Sequence, residues 1–311
     1  MNANRRSLKE GRPQFSPLWA AIIGATAISF SAIFFKLAEV SPATGALFRF
    51  LYALPLLAIL WWRSGERKPR SKRARLLAMV AGVLLGLDVL TWHIAIENIG
   101  TGLATLIVNS QVVIVALLAW LLLGEKPSNR VFTAIPIMLV GVAMVSGLGL
   151  GNAFGENPLV GTVMALLAAL FYAGFLLGFR RTNRWTAPSA GPLFDATVGA
   201  ALVSVVVGLA ISGLDPVPSF PAHGWLMALA LSAQVVGWLI IGYALPRLPA
   251  AETSTVILIQ PVMTMLWGIL IFGERPSTLQ LMGALFVLAG VGLVASTRRS
   301  NTPVIEPITK R

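Results

Sequence analysis

Gly124-Glu125-Lys126-Pro127-Ser128 and Gly273-Glu274-Arg275-Pro276-Ser277 are nearly the same five residues, 149 positions apart. Each closes a long apolar run and opens another. Gly suits the end of one helix, and Pro-Ser suits the start of the next. Capping alone can produce such a match, so more distant positions must decide. The same offset sets Gln111 on Gln260 and Gly141 on Gly290. Nearer the start of each half, an offset of 146 sets Ser41-Pro-Ala-Thr-Gly-Ala-Leu-Phe-Arg49 on Ala187-Pro-Ser-Ala-Gly-Pro-Leu-Phe-Asp195, Asp88 on Gln234 and Trp92 on Trp238. Agreement at separated sites makes the chain two copies of one unit.

Composition names the solvent of both copies. Of 311 residues, 56% are apolar and 12% charged, against about 25% charged in a soluble domain; the mean hydropathy is +0.80. A helix crosses the hydrocarbon core with about 20 apolar residues. Runs of that kind, bounded by Pro, Gly or charge, fall near 17–37, 41–62, 74–97, 101–123 and 129–147, then near 158–180, 189–212, 224–245, 250–272 and 278–297. The first run follows the basic segment Asn4 to Arg12 but has no A-x-A-like cleavage site, so it reads as a retained helix rather than a signal peptide.

The expected fold is an all-α polytopic membrane protein of ten transmembrane helices. Residues 17–147 and 158–297 form two five-helix repeats, flanked by segments 1–16 and 298–311. Because five is odd, the second copy enters the membrane inverted. Lys and Arg remain on the cytoplasmic side of such proteins. Both termini and the loops after spans two, four, six and eight carry 21 of the 24 Lys and Arg, most densely from Arg63 to Arg75. The opposite loops carry Lys36 and Arg275, while Arg49 lies inside a span. Both termini are therefore expected in the cytoplasm, with the chain in the cell inner membrane. The net charge of +12 reads as topology signal rather than as a nucleic-acid surface. With no Cys and two His, neither a metal site nor a cofactor is expected. Inverted repeats build secondary transporters, in which one part rocks against another around a midplane site.

Ten spans in two halves, with a Gly-Glu-x-Pro-Ser element after the fourth span of each, resemble the EamA family of the drug/metabolite transporter superfamily over about residues 17–297. Within it the chain is most similar to YddG-like amino-acid exporters. The resemblance implies a central cavity lined by the first, third, fourth, sixth, eighth and ninth helices. It also implies outward movement of small metabolites, amino acids among them.

The residues themselves suggest where such a site lies. A charge at the bilayer centre costs about 2.5–3.5 kcal/mol on insertion scales, so it faces a cavity or a partner. Asp88 is near the middle of span three, with Trp92 one helical turn on. Gln234 and Trp238 repeat that geometry in span eight. Two polar groups and two aromatic faces suit an amphipathic ligand, and interhelical hydrogen bonding with Trp packing is the alternative. Gln111 and Gln260 form a second repeat-related pair. Pro261 frees a carbonyl beside Gln260. Asn109, two residues from Gln111, is about 200° round an ideal helix, so at most one of the two is expected to face the cavity. Tyr172 and Ser31 add candidate hydroxyls, with ordinary packing an equal reading. His93 is a candidate proton relay or, as the stronger reading, a packing histidine.

Arg49 and Asp195 are equivalent in the repeat but expected on opposite sides of the membrane. For Arg49 a structural role near the interface is preferred to carboxylate binding. Glu125 and Glu274 are expected to bond to the backbone of their own turns. Gly82, Gly86, Gly141, Gly283, Gly290 and Ala289 are expected to permit close helix contact. Trp19, Trp61, Trp62 and Trp225 fit an interfacial belt.

The expected function is alternating-access export of a small amphipathic metabolite, an aromatic or other neutral amino acid, with coupling to protons or an electrochemical gradient open. A multidrug or quaternary-amine exporter would use the same fold with Asp88 as counter-ion. An enzyme needs acid/base groups converging at one depth, and a channel needs a ring of charges or carbonyls; neither pattern is present. The expected partners are a small-molecule substrate and the lipid bilayer.

Overall fold

The computed structural model describes residues 17–64, 70–124, 126–145, 153–182, 190–211, 213–244 and 250–295, and every regular element among them is helical. In chain order these are α1 (Pro17–Ser29), α2 (Ser31–Ala38), α3 (Pro42–Arg63), α4 (Lys72–Val108), α5 (Gln111–Leu123), α6 (Asn129–Val145), α7 (Pro158–Thr182) and α8 (Ala190–Ala210). Next come α9 (Phe220–Leu229), a π-helical stretch (Ala230–Gly237), α10 (Trp238–Ala244), α11 (Ala250–Phe272) and α12 (Thr278–Ala295). The expected terminal segments 1–16 and 298–311, Glu125 and the middle of the Arg63–Arg75 segment lie outside the described residues.

Six helical stretches are long and apolar enough to cross a membrane: Trp19–Ala38, Pro42–Arg63, Lys72–Val108, Pro158–Phe179, Ala190–Ala210 and Phe220–Ile241. Gln111–Leu122, Asn129–Val145, Ile259–Phe272 and Thr278–Val294 are apolar but shorter. Three stretches depart from uniform spans. The first run breaks at Phe30, where the Ser29 carbonyl accepts from Thr264 Oγ1 at 3.1 Å and the Ser29 hydroxyl accepts from Trp267 Nε1 at 3.1 Å. Expected spans three and four follow one another with no loop, because Gly100 at φ 81°, ψ 169° turns the chain within α4. Side chains on Cβ disfavour that backbone region, so the turn requires glycine. The eighth run loosens into the π-helical stretch at its middle.

Small residues let the helices pack backbone against backbone. A Cβ on Gly82 of α4 would stand 1.8 Å from the Ala196 carbonyl oxygen of α8, and one on Gly199 of α8 would stand 2.0 Å from that of Met79. Gly86 abuts Ala200 one turn further along. Gly141 of α6 and Gly283 of α12 approach each other's carbonyl oxygens in the same way, at 2.7 and 2.6 Å, and Gly290 packs on Met138. Ala289 departs from this expectation: it is exposed, on the side of α12 away from α6. In the absence of a hydrophobic force between helices in lipid, such close approach supplies the dispersion energy that holds them. The outer surface is correspondingly apolar, with Leu121, Leu139, Val206, Leu270 and Leu285 all exposed. Trp19, Trp62 and Trp225 are exposed as well.

At one end, Asp195 near the start of α8 is buried between Arg70 at 2.6 Å and Arg75 at 3.5 Å, with both guanidinium groups over the Trp61 ring. As expected from the sequence, Arg49 is not its partner.

Gly82→Leu is expected to destabilise the protein by about 2 kcal/mol or more, since overpacking a contact with backbone on the far side finds no room to relax. Ala289→Leu is expected to be near neutral. Thermal unfolding of both purified variants in detergent checks the contrast.

Candidate functional site

A cavity of about 210 Å³ lies among α1–α5, α7, α10 and α11. Seven of the nine candidate residues line it: Ser31, Asp88, Trp92, Gln111, Tyr172, Trp238 and Gln260. Arg49, Thr105 and Asn109 line it too. Gln234 and His93 do not.

Asp88 and Trp92 sit on uninterrupted α-helix, where four residues complete about one turn, and both reach the cavity. The Trp92 indole donates to Thr105 Oγ1 at 3.3 Å, which ties the ring to the far side of the Gly100 break. The repeat-related pair behaves differently because Gln234 lies in the π-helical stretch. Of the two, only Trp238, at the start of α10, reaches the cavity. Trp238 lines the cavity with its ring edge-on to Phe175 and Tyr172. Gln234 is fully buried behind the wall, where Nε2 donates to Thr197 Oγ1 at 3.1 Å and Oε1 accepts from Arg49 Nε at 3.4 Å.

Asn109 and Gln111 both line the cavity, against the expectation that one must point away. The helical rotation between them is lost because α4 ends at Val108 and α5 starts at Gln111, leaving Asn109 and Ser110 in a turn. Asn109 Nδ2 donates to the Thr105 carbonyl at 2.8 Å, whereas Gln111 Oε1 is buried without a hydrogen-bond partner. His93 is completely buried, stacked on Phe35 at 3.7 Å with Nδ1 3.3 Å from the Pro42 carbonyl oxygen. That is the placement of a packing histidine.

Arg49 is the residue that sequence reasoning placed wrongly. It is buried in the cavity wall, not set at the interface. Nη1 donates to Ser31 Oγ at 3.0 Å, and the guanidinium carbon lies 5.9 Å from the Trp92 ring centroid. A lone arginine within an apolar run was the available signal. Its apparent distance from the midplane, judged from a helix start, concealed the role.

Aromatic pairs pack around α2. Phe30 stacks on Trp267, and Phe34 on Trp225. Tyr52 Oη lies 2.5 Å from His223 Nδ1. The partners of Glu274 differ from those expected. It accepts from Thr101 N at 2.7 Å, Thr101 Oγ1 at 2.9 Å and Gly102 N at 3.3 Å, and pairs with Lys36 Nζ at 3.1 Å. The acid thus caps the helix that restarts after Gly100, 173 residues away in sequence. Its own turn is served instead by Ser277 and Gln280, whose reciprocal side-chain to backbone bonds form a capping box.

Glu274→Ala is expected to lower stability by about 2 kcal/mol or more, because it strands buried N–H groups. Lys36→Ala, removing a partner that is about one-third exposed, should lower it by under about 1 kcal/mol. Detergent melting curves of the two variants, run side by side, measure the difference.

An all-helical membrane architecture around a partly polar cavity defines the class: a polytopic transporter. The EamA-like transporter family model matches residues 15–147 and again 159–296, and the chain belongs to that family. An uncharacterized transporter of Archaeoglobus fulgidus is 23% identical over 86% of this chain and 92% of its own. A probable terminal-alkyne amino-acid exporter of Streptantibioticus cattleyicolor is 23% identical over 92% and 97%. The threonine/homoserine exporter RhtA of Escherichia coli is 23% identical over 80% and 81%. A solved crystal structure superposes with a TM-score of 0.60 at 16% identity, covering 90% of this chain and 98% of that one. The two share a fold.

Proposed function

We propose that this chain exports small neutral amino acids across the inner membrane by alternating access. The carrying observation is the cavity, which brings two tryptophans, Arg49, Asp88 and several amides together in a space of about 210 Å³. Drug-sized ligands occupy pockets of about 300–1,000 Å³, so the volume favours a metabolite. Arg49 in the wall disfavours a purely cationic drug. Relatives named as amino-acid exporters support the same direction of reading. The role proposed for the chain is transport without chemical conversion of the substrate.

In this reading ten helices span the membrane, residues 17–147 and 158–297 are inverted repeats, and both termini face the cytoplasm. The end that carries Glu274 is then the outer one. Ser31, Asp88, Trp92, Gln111, Tyr172, Trp238 and Gln260 contact substrate directly, while Gln234 and His93 support the wall. Asp88, facing Arg49 and Tyr172, is the proton-exchanging group if export is driven by a pH gradient.

Counterflow of labelled threonine, leucine and phenylalanine in proteoliposomes tests the assignment. At least one is expected to exchange saturably, with Trp92→Ala and Trp238→Ala each lowering the rate tenfold or more. Wild-type rates in both variants would place the site elsewhere. Asp88→Asn is expected to abolish pH-gradient-driven flux, and unchanged flux would remove the coupling role.

A further inference from the structure

Two opposite charges share the cavity without meeting. Arg49 is 5% exposed and Asp88 7%, and both line the cavity. No salt bridge joins them, and the Asp88 carboxylate has no hydrogen-bond partner among the described residues. Attraction between charges in a low-dielectric interior rises steeply as they approach. An ion pair serving only to stabilise the fold closes up, because its desolvation is offset only at contact. Here the two groups stay apart on the wall of a common space.

Arg49 is also held in a way that leaves much of its hydrogen-bonding capacity open. A guanidinium carries five N–H donors. Ser31 and Gln234 take two of them, and the remaining three have no acceptor among the described residues. Gln234 donates to Thr197 through its other end, which fixes its oxygen towards Arg49. The chain Thr197–Gln234–Arg49–Ser31 therefore orients the fork while leaving donors for a carboxylate, the group whose geometry a guanidinium matches best. Asp88 and the unpartnered Gln111 Oε1 supply acceptors in the same cavity.

We propose that Arg49 is the carboxylate-binding residue of the cavity, and that Arg49 with Asp88 selects zwitterions over ligands bearing either charge alone. The inference rests on the amino-acid exporter reading and states how that site recognises its substrate. A zwitterion adds no net charge to the cavity and completes both half-satisfied groups at once. An amine without a carboxylate leaves the arginine donors stranded, and an acid without an ammonium strands Asp88. Sites built to hydrogen-bond a substrate group reject analogues that lack it far more strongly than apolar pockets reject a missing methylene. The aromatic faces of Trp92 and Trp238 remain for the side chain, so the charge pair sets the ligand class and the tryptophans set the side-chain preference.

The test reads the ligand-dependent rise in melting temperature of purified protein in detergent, which works for variants that no longer transport. The ligands are threonine, leucine and phenylalanine, the methyl ester of each, and the corresponding α-hydroxy acids. Wild-type protein is expected to respond to at least one amino acid at a concentration tenfold or more below that needed for its ester or hydroxy acid. In Arg49→Gln the amino acid and its ester should become equivalent within about threefold, because the ester never engaged the arginine. Arg49→Lys keeps the charge without the fork. It should need at least tenfold more amino acid and an unchanged amount of ester, and it carries the test if Arg49→Gln fails to fold. Retention of the wild-type preference in Arg49→Gln, or an unaltered amino-acid requirement in Arg49→Lys, overturns the inference alone. A wild-type protein that responds to none of the amino acids and shows no counterflow overturns the exporter reading as well.

Discussion

A helix interrupted inside an apolar solvent exposes backbone groups that water cannot reach, and α4 is interrupted at Gly100. Irregular backbone at membrane depth persists only where protein satisfies it. The carboxylate of Glu274 does so, accepting from the first two N–H groups after the break. A negative charge at a helix N-terminus is also favoured by the aligned peptide dipoles. One acid from the turn between α11 and α12 thereby fixes how the segment carrying Thr105 and Asn109 stands against the segment carrying Asp88 and Trp92. The Trp92–Thr105 hydrogen bond spans the same break from the cavity side. Much of the cavity wall depends on that closure.

The same limitation governs the other irregularities. The break at Phe30 is accompanied by bonds from Thr264 and Trp267 to Ser29, and Asn109 bonds back to the Thr105 carbonyl at the end of α4. These interruptions, with the π-helical stretch around Gln234, cluster about the cavity. The opposite behaviour is seen along α4–α8 and α6–α12, where regular helices touch through Gly82, Gly199, Gly141 and Gly283. Glycine seams thus join regular stretches, α4 before its break included.

Repeat symmetry guides the chemistry best where it fails. Asp88 and Gln234 are equivalent in sequence, yet one faces the cavity and the other buttresses Arg49 from behind. Arg49 and Asp195 are likewise equivalent, yet one enters the cavity wall and the other is locked between two arginines at the bundle's end. A binding site for an asymmetric ligand requires such divergence, because two identical half-sites would present the same charge twice.

Sequence by itself determined the solvent, the helical class, the duplication and seven of the seventeen residues that line the cavity. These follow from composition, from runs long enough to cross hydrocarbon, and from offsets of 149 and 146, all of which are local or periodic signals. It also determined that Asp88 and Trp92 share a face, since an unbroken α-helix lies between them. Only the tertiary structure decided the positions that depend on a broken helix or a distant partner. Gln234 left the cavity for partners on two other helices, Arg49 and Thr197. Asn109 entered beside Gln111 because a turn separates α4 from α5. Glu274 served a helix 173 residues away rather than its own turn. Arg49 moved from interface to cavity wall because Ser31 and Gln234, brought from two other helices, made a buried guanidinium affordable there. Such partners are set by packing across the bundle, and no window along the chain contains both ends of the interaction.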